Sequence, residues 1–174
     1  MHAAYELPPH ARDILIAATL LHDIGYLINH AQNHKHAYHL IMHGDLPGFS
    51  PREVELIANV ARYHRRAMPR KRHANFGRLD PADRQLVRQM AGILRIADGL
   101  DRTHTQVVSG LRTVLEDGEV ELRMRAARSP RVDLEEAVRK SKLFRRAFEA
   151  DLAVAWVKER APVTKPALAA GARG

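Results

Sequence analysis

Residues Ile14 to Leu21 read ILIAATLL, eight positions with nothing more polar than one Thr, and His22 and Asp23 follow at once. A helix that apolar is a buried helix. Burying an imidazole and a carboxylate without a partner costs several kcal/mol even after relaxation. This stretch therefore asks the fold to supply a partner at the helix end, and a metal ion is the partner that removes the penalty. Ligands of the His/Asp type sit where apolar helices end against one another. The run is too short to span a bilayer, so its burial has to come from protein.

Other segments supply the remaining helices. Pro8 and Pro9 suit the start of the first, which is expected to reach about Asp23 and stop near Gly25. A second is expected from about His34 to His43. The turn GDLPGFSP then resets the chain, with Ser50 as N-cap, Pro51 in the first turn and Glu53 placed for a capping box. The third helix carries Val54, Ile57, Ala58 and Ala61 at helical spacing and ends near His64. RRAMPRKRHANFGRLD reads as a basic, structureless loop. Asp80-Pro81 opens a long helix whose stripe is Leu86, Met90, Ile93, Leu94 and Ala97.

After Arg102 the period changes. VVSGLRTVLEDGEVELRMRA reads as two strands around Asp117-Gly118, with Val120, Leu122 and Met124 alternating against charged neighbours. Asp133 to Phe148 reads as one helix and LAVAWV as a third strand. The fold class expected is mainly α: a helical bundle over 1–103, then a small α+β (β-β-α-β) part over 104–158. The Pro/Ala/Gly-rich stretch 159–174 is expected to be a disordered tail.

Three helix ends offer metal-binding groups, His22-Asp23, His64 in ARYHRR and Asp98 in LRIADGLDR, and His36 in HKHAYHLI is a fourth candidate. Five of the eleven His fall between His30 and His43, and helical geometry separates them. At about 100° per residue, His36 borders the apolar face of Ala37, Leu40 and Ile41. His39 and His43 turn toward solvent, and His30 and His34 are expected there too. Asp98 lies at the margin of the long helix's stripe, beside Leu94 and Val87. Lys35, Arg65, Arg66, Arg95 and Arg102 neighbour these residues in sequence and suit the oxygens of a phosphate. The net charge of +8 and pI of about 10.3 favour polyanionic ligands. The absence of Cys removes thiolate zinc sites and disulfides and fits a cytoplasmic protein, and no signal peptide is read at the N-terminus.

Taken together, LLHDIGYLI, NHKHAYHLI, DLPGFSPREVELIANVARYHRR and LRIADGLDR resemble the HD-domain metal-dependent phosphohydrolases. More narrowly, they resemble the C-terminal region of the exopolyphosphatase/guanosine-pentaphosphate phosphatase (Ppx/GppA) family, from about Leu7 to Trp156. The resemblance implies metal ligation by His22, Asp23, His36, His64 and Asp98, with Asp23 and Asp98 catalytic. Phosphate would be met by Lys35, Arg65, Arg66, Arg95 and Arg102. Mixed N/O donors without sulfur suit a divalent Mn, Mg, Fe, Co or Ni ion ahead of Zn.

The implied activity is hydrolysis of polyphosphate or of a guanosine polyphosphate or other nucleotide. Its alternative is a non-catalytic module that binds polyphosphate or nucleic acid and dimerises, with an incomplete metal site. Expected partners are that phosphorylated substrate, a second copy in a homodimer, and a separate chain carrying the family's N-terminal domains; no membrane is expected. HD domains also take a leading His from an earlier helix, for which this chain has no counterpart. His10 stands twelve residues before His22, about 18 Å along one helix, too far to share an ion with it.

Overall fold

The computed structural model describes residues 7–116 and 118–158. Helix α1 (Ala11–Leu21) ends in a short 3-10 turn (Ile24–Leu27), and α2 (Asn33–His43) follows. After the GDLPGFSP turn come α3 (Pro51–Arg62), a single-turn helix α4 (Ala74–Gly77) and the long α5 (Pro81–Leu100). The rest is β1 (Val108–Glu116), β2 (Glu119–Ala126), α6 (Arg131–Lys140), α7 (Lys142–Phe148) and β3 (Asp151–Lys158). The molecule is thus mainly α with one small sheet, as expected.

Local chemistry sets the helix starts. Ser50 and Glu53 form the reciprocal capping box, Ser50 N donating to Glu53 Oε2 at 2.8 Å. Asp80 caps α5 by accepting from Asp83 N at 2.8 Å, and Pro81 occupies the first turn. Asp83 is then gripped by both nitrogens of the Arg52 fork, each at 2.7 Å. That pair lashes the starts of α3 and α5 together and directs their far ends to one place.

Two apolar cores lie along α5. The first joins Ile14, Ala18, Ile41, Leu56, Ile57, Val60 and Phe76 to Leu86, Met90 and Leu94 of α5. The second joins Ile96 and Leu100 of α5 to Val120, Met124, Phe144, Phe148 and Leu152. Leu143 of α7 belongs to the first core, so the helical and α+β parts share a spine. Close contact with α6 depends on Gly99, where a Cβ would stand 2.7 Å from the Ala137 Cα.

The sheet order is β1-β2-β3, with β1 antiparallel and β3 parallel to β2. A parallel neighbour needs a crossover, and α6 and α7 provide it. The strand alternation holds: Val120, Met124 and Ala126 are buried, while Glu119 and Arg123 are exposed.

Three expectations change. The basic loop contains α4, because Phe76 is fully buried in the first core and draws its segment into a helical turn. The single helix from Asp133 to Phe148 is two helices that meet at Ser141, whose hydroxyl donates back to Val138 O at 2.7 Å. The first helix closes at Leu21, with His22 as its C-cap. The stretch 159–174 lies outside the described residues. Among the described residues no helix is long and apolar enough to cross a membrane.

Candidate metal centre and cationic cleft

The ends of α1 and α3 meet over Asp23. His22 accompanies the end of α1, and its Nδ1 lies 2.7 Å from Thr19 O. His64 lies just past α3, 1% exposed, with its Nδ1 2.6 Å from Ala61 O. A carbonyl only accepts, so Nδ1 carries a proton in each ring, and in the neutral ring the lone pair is on Nε2. Both lone pairs turn toward one carboxylate. His22 Nε2 is 3.3 Å from Asp23 Oδ2, and His64 Nε2 is 3.8 Å from Asp23 Oδ1. Burial, the largest influence, and the neighbouring His22 push the His64 pKa down to about 3, against the raising effect of the Ala61 hydrogen bond and Asp98. His64 is therefore neutral at ordinary pH, and its Nε2 lone pair faces the Asp23 carboxylate with no proton of its own to share.

That donor set fits a cation. The three ligand atoms lie within 4.8 Å of one another, and the carbonyls behind the two rings hold them in the tautomer a metal needs. Asp23 is oriented from behind as well. Fully buried Asn33, at the start of α2, donates from Nδ2 to Asp23 Oδ1 at 3.0 Å. The Asn33 Oδ1 accepts from Arg65 Nη1 at 3.2 Å, and the same Arg65 nitrogen donates to Tyr26 OH at 3.0 Å. Gly25 permits this approach, because any Cβ there would lie 1.9 Å from Asn33 O.

Of the five expected ligands, the structure gathers His22, Asp23 and His64. His36 is not in the group. Helix α2 turns Asn33, Ala37, Tyr38 and Ile41 inward, which leaves His36 half-buried at the margin, and the α2 side chain that reaches Asp23 is Asn33. Asp98 lies on the same cleft but outside the group, because Lys140 of α6 forms a short ion pair with its Oδ2. Lys140 also lies 3.4 Å from Glu136 Oε1.

The cleft has a volume of about 650 Å³, and Arg65, Arg66, Arg95 and Arg102 all line it. Arg95 has another task. Its Nε donates to Tyr63 O at 2.7 Å and its Nη2 to Ala67 O at 2.8 Å and Arg66 O at 3.2 Å. It pins the segment after His64 to α5. Lys35 is exposed on α2 and does not line the cleft. The opposite wall carries Arg139, Lys140 and Lys142, which the sequence reading missed. They lie some forty residues beyond the last motif, and only the excess positive charge hinted at them.

Asn33 was missed too, since a lone amide among histidines carries no pattern. His34 is half-buried rather than solvent-facing. Burial and the surrounding Arg62, Arg65, Lys35 and Arg66 lower its pKa to about 4. Arg66 and His104, both on the cleft, hold left-handed backbone (φ 60° and 50°), the kind of local strain that collects at functional sites.

Fold and site together describe a mainly helical domain in which a His–Asp–His cluster opens on a cationic cleft. The family model for domain III of the Ppx/GppA phosphatases matches residues 3–141, and the chain belongs to the Ppx/GppA phosphatase family. It is similar to a guanosine-5'-triphosphate,3'-diphosphate pyrophosphatase from Pseudoalteromonas translucida (strain TAC 125), with 33% identity over 84 residues. That match takes in 48% of this chain and 16% of the relative's length.

Proposed function

We propose that this chain is an HD-type, metal-dependent phosphohydrolase domain acting on polyphosphate or a guanosine polyphosphate. The observation that carries the reading is the convergence of the His22 and His64 Nε2 lone pairs on Asp23 at the mouth of a cationic cleft. Family membership and the name of the pyrophosphatase relative support the choice of substrate class.

His22, Asp23 and His64 would hold a divalent ion, with Asp98 nearby as a further carboxylate. When bound, such an ion supplies positive charge to a developing phosphoryl oxyanion and makes nearby water more acidic. The chain's own groups do the rest. Asn33 fixes Oδ1 of Asp23, and Oδ2, 3.3 Å from His22 Nε2, would accept a hydrogen bond from the attacking water. Arg65 is oriented by Tyr26 and Asn33. Arg66, Arg102, Arg139 and Lys142 line the walls where phosphate oxygens would enter.

A second reading is favoured by one observation, the capture of Asp98 by Lys140. With that carboxylate committed, the domain would bind polyphosphate or nucleic acid without cleaving it. Metal analysis of the purified chain, together with phosphate release from polyphosphate, separates the two. The phosphohydrolase reading expects about one divalent ion per chain, lost in His64→Ala, and phosphate release abolished in Asp23→Asn. Salt-sensitive polyphosphate binding by metal-free protein, with no release under any metal, would establish the binding module instead.

A further inference from the structure

The segment PRKRHANFG (69–77) contributes no residue to the metal cluster or to the cleft lining, yet it reaches back to the residue before His64. Tyr63 is the C-cap of α3 and is 2% exposed. Its hydroxyl lies 2.9 Å from Nδ1 of His73, the N-cap of α4. Asn75 Nδ2 donates to the same hydroxyl at 3.2 Å and to Oδ1 of fully buried Asn59 at 2.7 Å. Asn59 in turn donates to Glu55 O at 2.9 Å, back inside α3. With the Asn75 amide acting as donor, the Tyr63 hydroxyl keeps its own proton for His73 Nδ1. Burial, then Arg62, Arg72 and Arg70, lower the His73 pKa, which keeps that nitrogen an acceptor. The two rings stack with centroids 5.8 Å apart, and Phe76 meets Tyr63 edge-on at 5.7 Å.

Tyr63 is thus held at both ends. Arg95 of α5 takes its carbonyl at 2.7 Å, and the 69–77 segment takes its hydroxyl. One planar peptide joins it to His64. Among the described residues the His64 ring has a single hydrogen bond, to Ala61 O. The place of that ring therefore follows the path of the backbone at the end of α3, and Tyr63 sets that path.

We propose that His73, acting through the Tyr63 hydroxyl and backed by Asn75, is a positioning residue that holds His64 at its place beside His22 and Asp23. The metal role of His64 rests on the phosphohydrolase reading; the holding of its ring does not.

The test is solvent exchange of the His64 Nδ1 proton, followed by NMR on the full chain labelled with 15N-histidine, together with calorimetric titration with Mn. Tyr63→Phe keeps the ring and removes the hydroxyl, and His73→Leu removes the acceptor. Each should speed the exchange by at least about tenfold and weaken Mn binding by about tenfold. The two together should do no more than either alone, because they break one contact. His73→Asn sets a carbonyl oxygen where Nδ1 stood and should return exchange to within about threefold of wild type. Gln85→Met is the control: it loses the 2.7 Å hydrogen bond to Ala147 O, far along α5, and should lower the melting temperature while leaving His64 unchanged. If His73→Leu fails to fold, Tyr63→Phe carries the test. Exchange unchanged in Tyr63→Phe, no recovery in His73→Asn, or a wild-type proton too short-lived to observe would each overturn the proposal. A wild type that binds no Mn yet shows the expected exchange pattern would sink the phosphohydrolase reading and uphold the positioning role.

Discussion

Replacing Gly25 with Ala should damage fold and site together. The added Cβ would stand 1.9 Å from Asn33 O, 2.6 Å from Ala37 N and 2.7 Å from Asn33 C. All three atoms are backbone, so no rotamer change relieves the clash and α2 has to retreat from the 3-10 turn. Overpacking of this kind costs roughly 1–3 kcal/mol. Retreat also takes Asn33 away from Asp23, and a hydrogen bond to a carboxylate is worth about 1.5–3 kcal/mol. The sum is about 2.5–6 kcal/mol, or a fall in melting temperature of about 10 °C or more for a chain of this size.

Circular dichroism melts measure the first effect, and calorimetric titration with Mn measures the second, expected as a loss in affinity of at least about tenfold. Leu27→Ala is the control, because Leu27 lies in the same turn yet is 84% exposed. A Gly25→Ala protein that melts within about 2 °C of wild type and keeps its metal affinity would refute the idea that the contact between α2 and the turn organises Asp23.

Two further outcomes are expected. Arg95→Met strips donors from Tyr63, Arg66 and Ala67 carbonyls and should cost about 3–5 kcal/mol in urea denaturation. Arg95→Lys should recover only part, since an ammonium lacks the fork; unchanged stability with weaker phosphate binding would return Arg95 to the role its sequence position first implied. Lys140→Met frees Asp98 and should tighten divalent-metal binding by about tenfold beyond Lys142→Met, which removes the same charge from the same cleft. Equal affinities in those two variants would remove Asp98 from the ligand set.

Much of the fold is local and could be read along the chain. The Ser50–Glu53 box and the Asp80-Pro81 start use contacts within one turn, and each appears where its motif stands. The strands around Asp117-Gly118 follow from period-two alternation, which needs only a covered face. The resemblance carried by HDIG, ARYHRR and LRIADGLDR fixed the family before any coordinate was known.

Which groups meet was a different matter. His36 and Asn33 sit three positions apart on one helix, and the packing angle of α2 selects between them; no motif encodes that angle. Asp98 has the right chemistry and the right helix, but a lysine 42 positions later reaches it through the α6 contact made possible by Gly99. Arg95 and Arg102 looked alike in sequence, yet one is turned inward onto three carbonyls while the other stays on the cleft wall. Short-range hydrogen bonds and hydrophobic periodicity are properties of neighbouring residues, so the sequence alone determined the family and most of the elements, but not α4 or the break at Ser141. Long-range convergence depends on how whole helices pack, so the tertiary structure alone decided which carboxylate and imidazoles share a site.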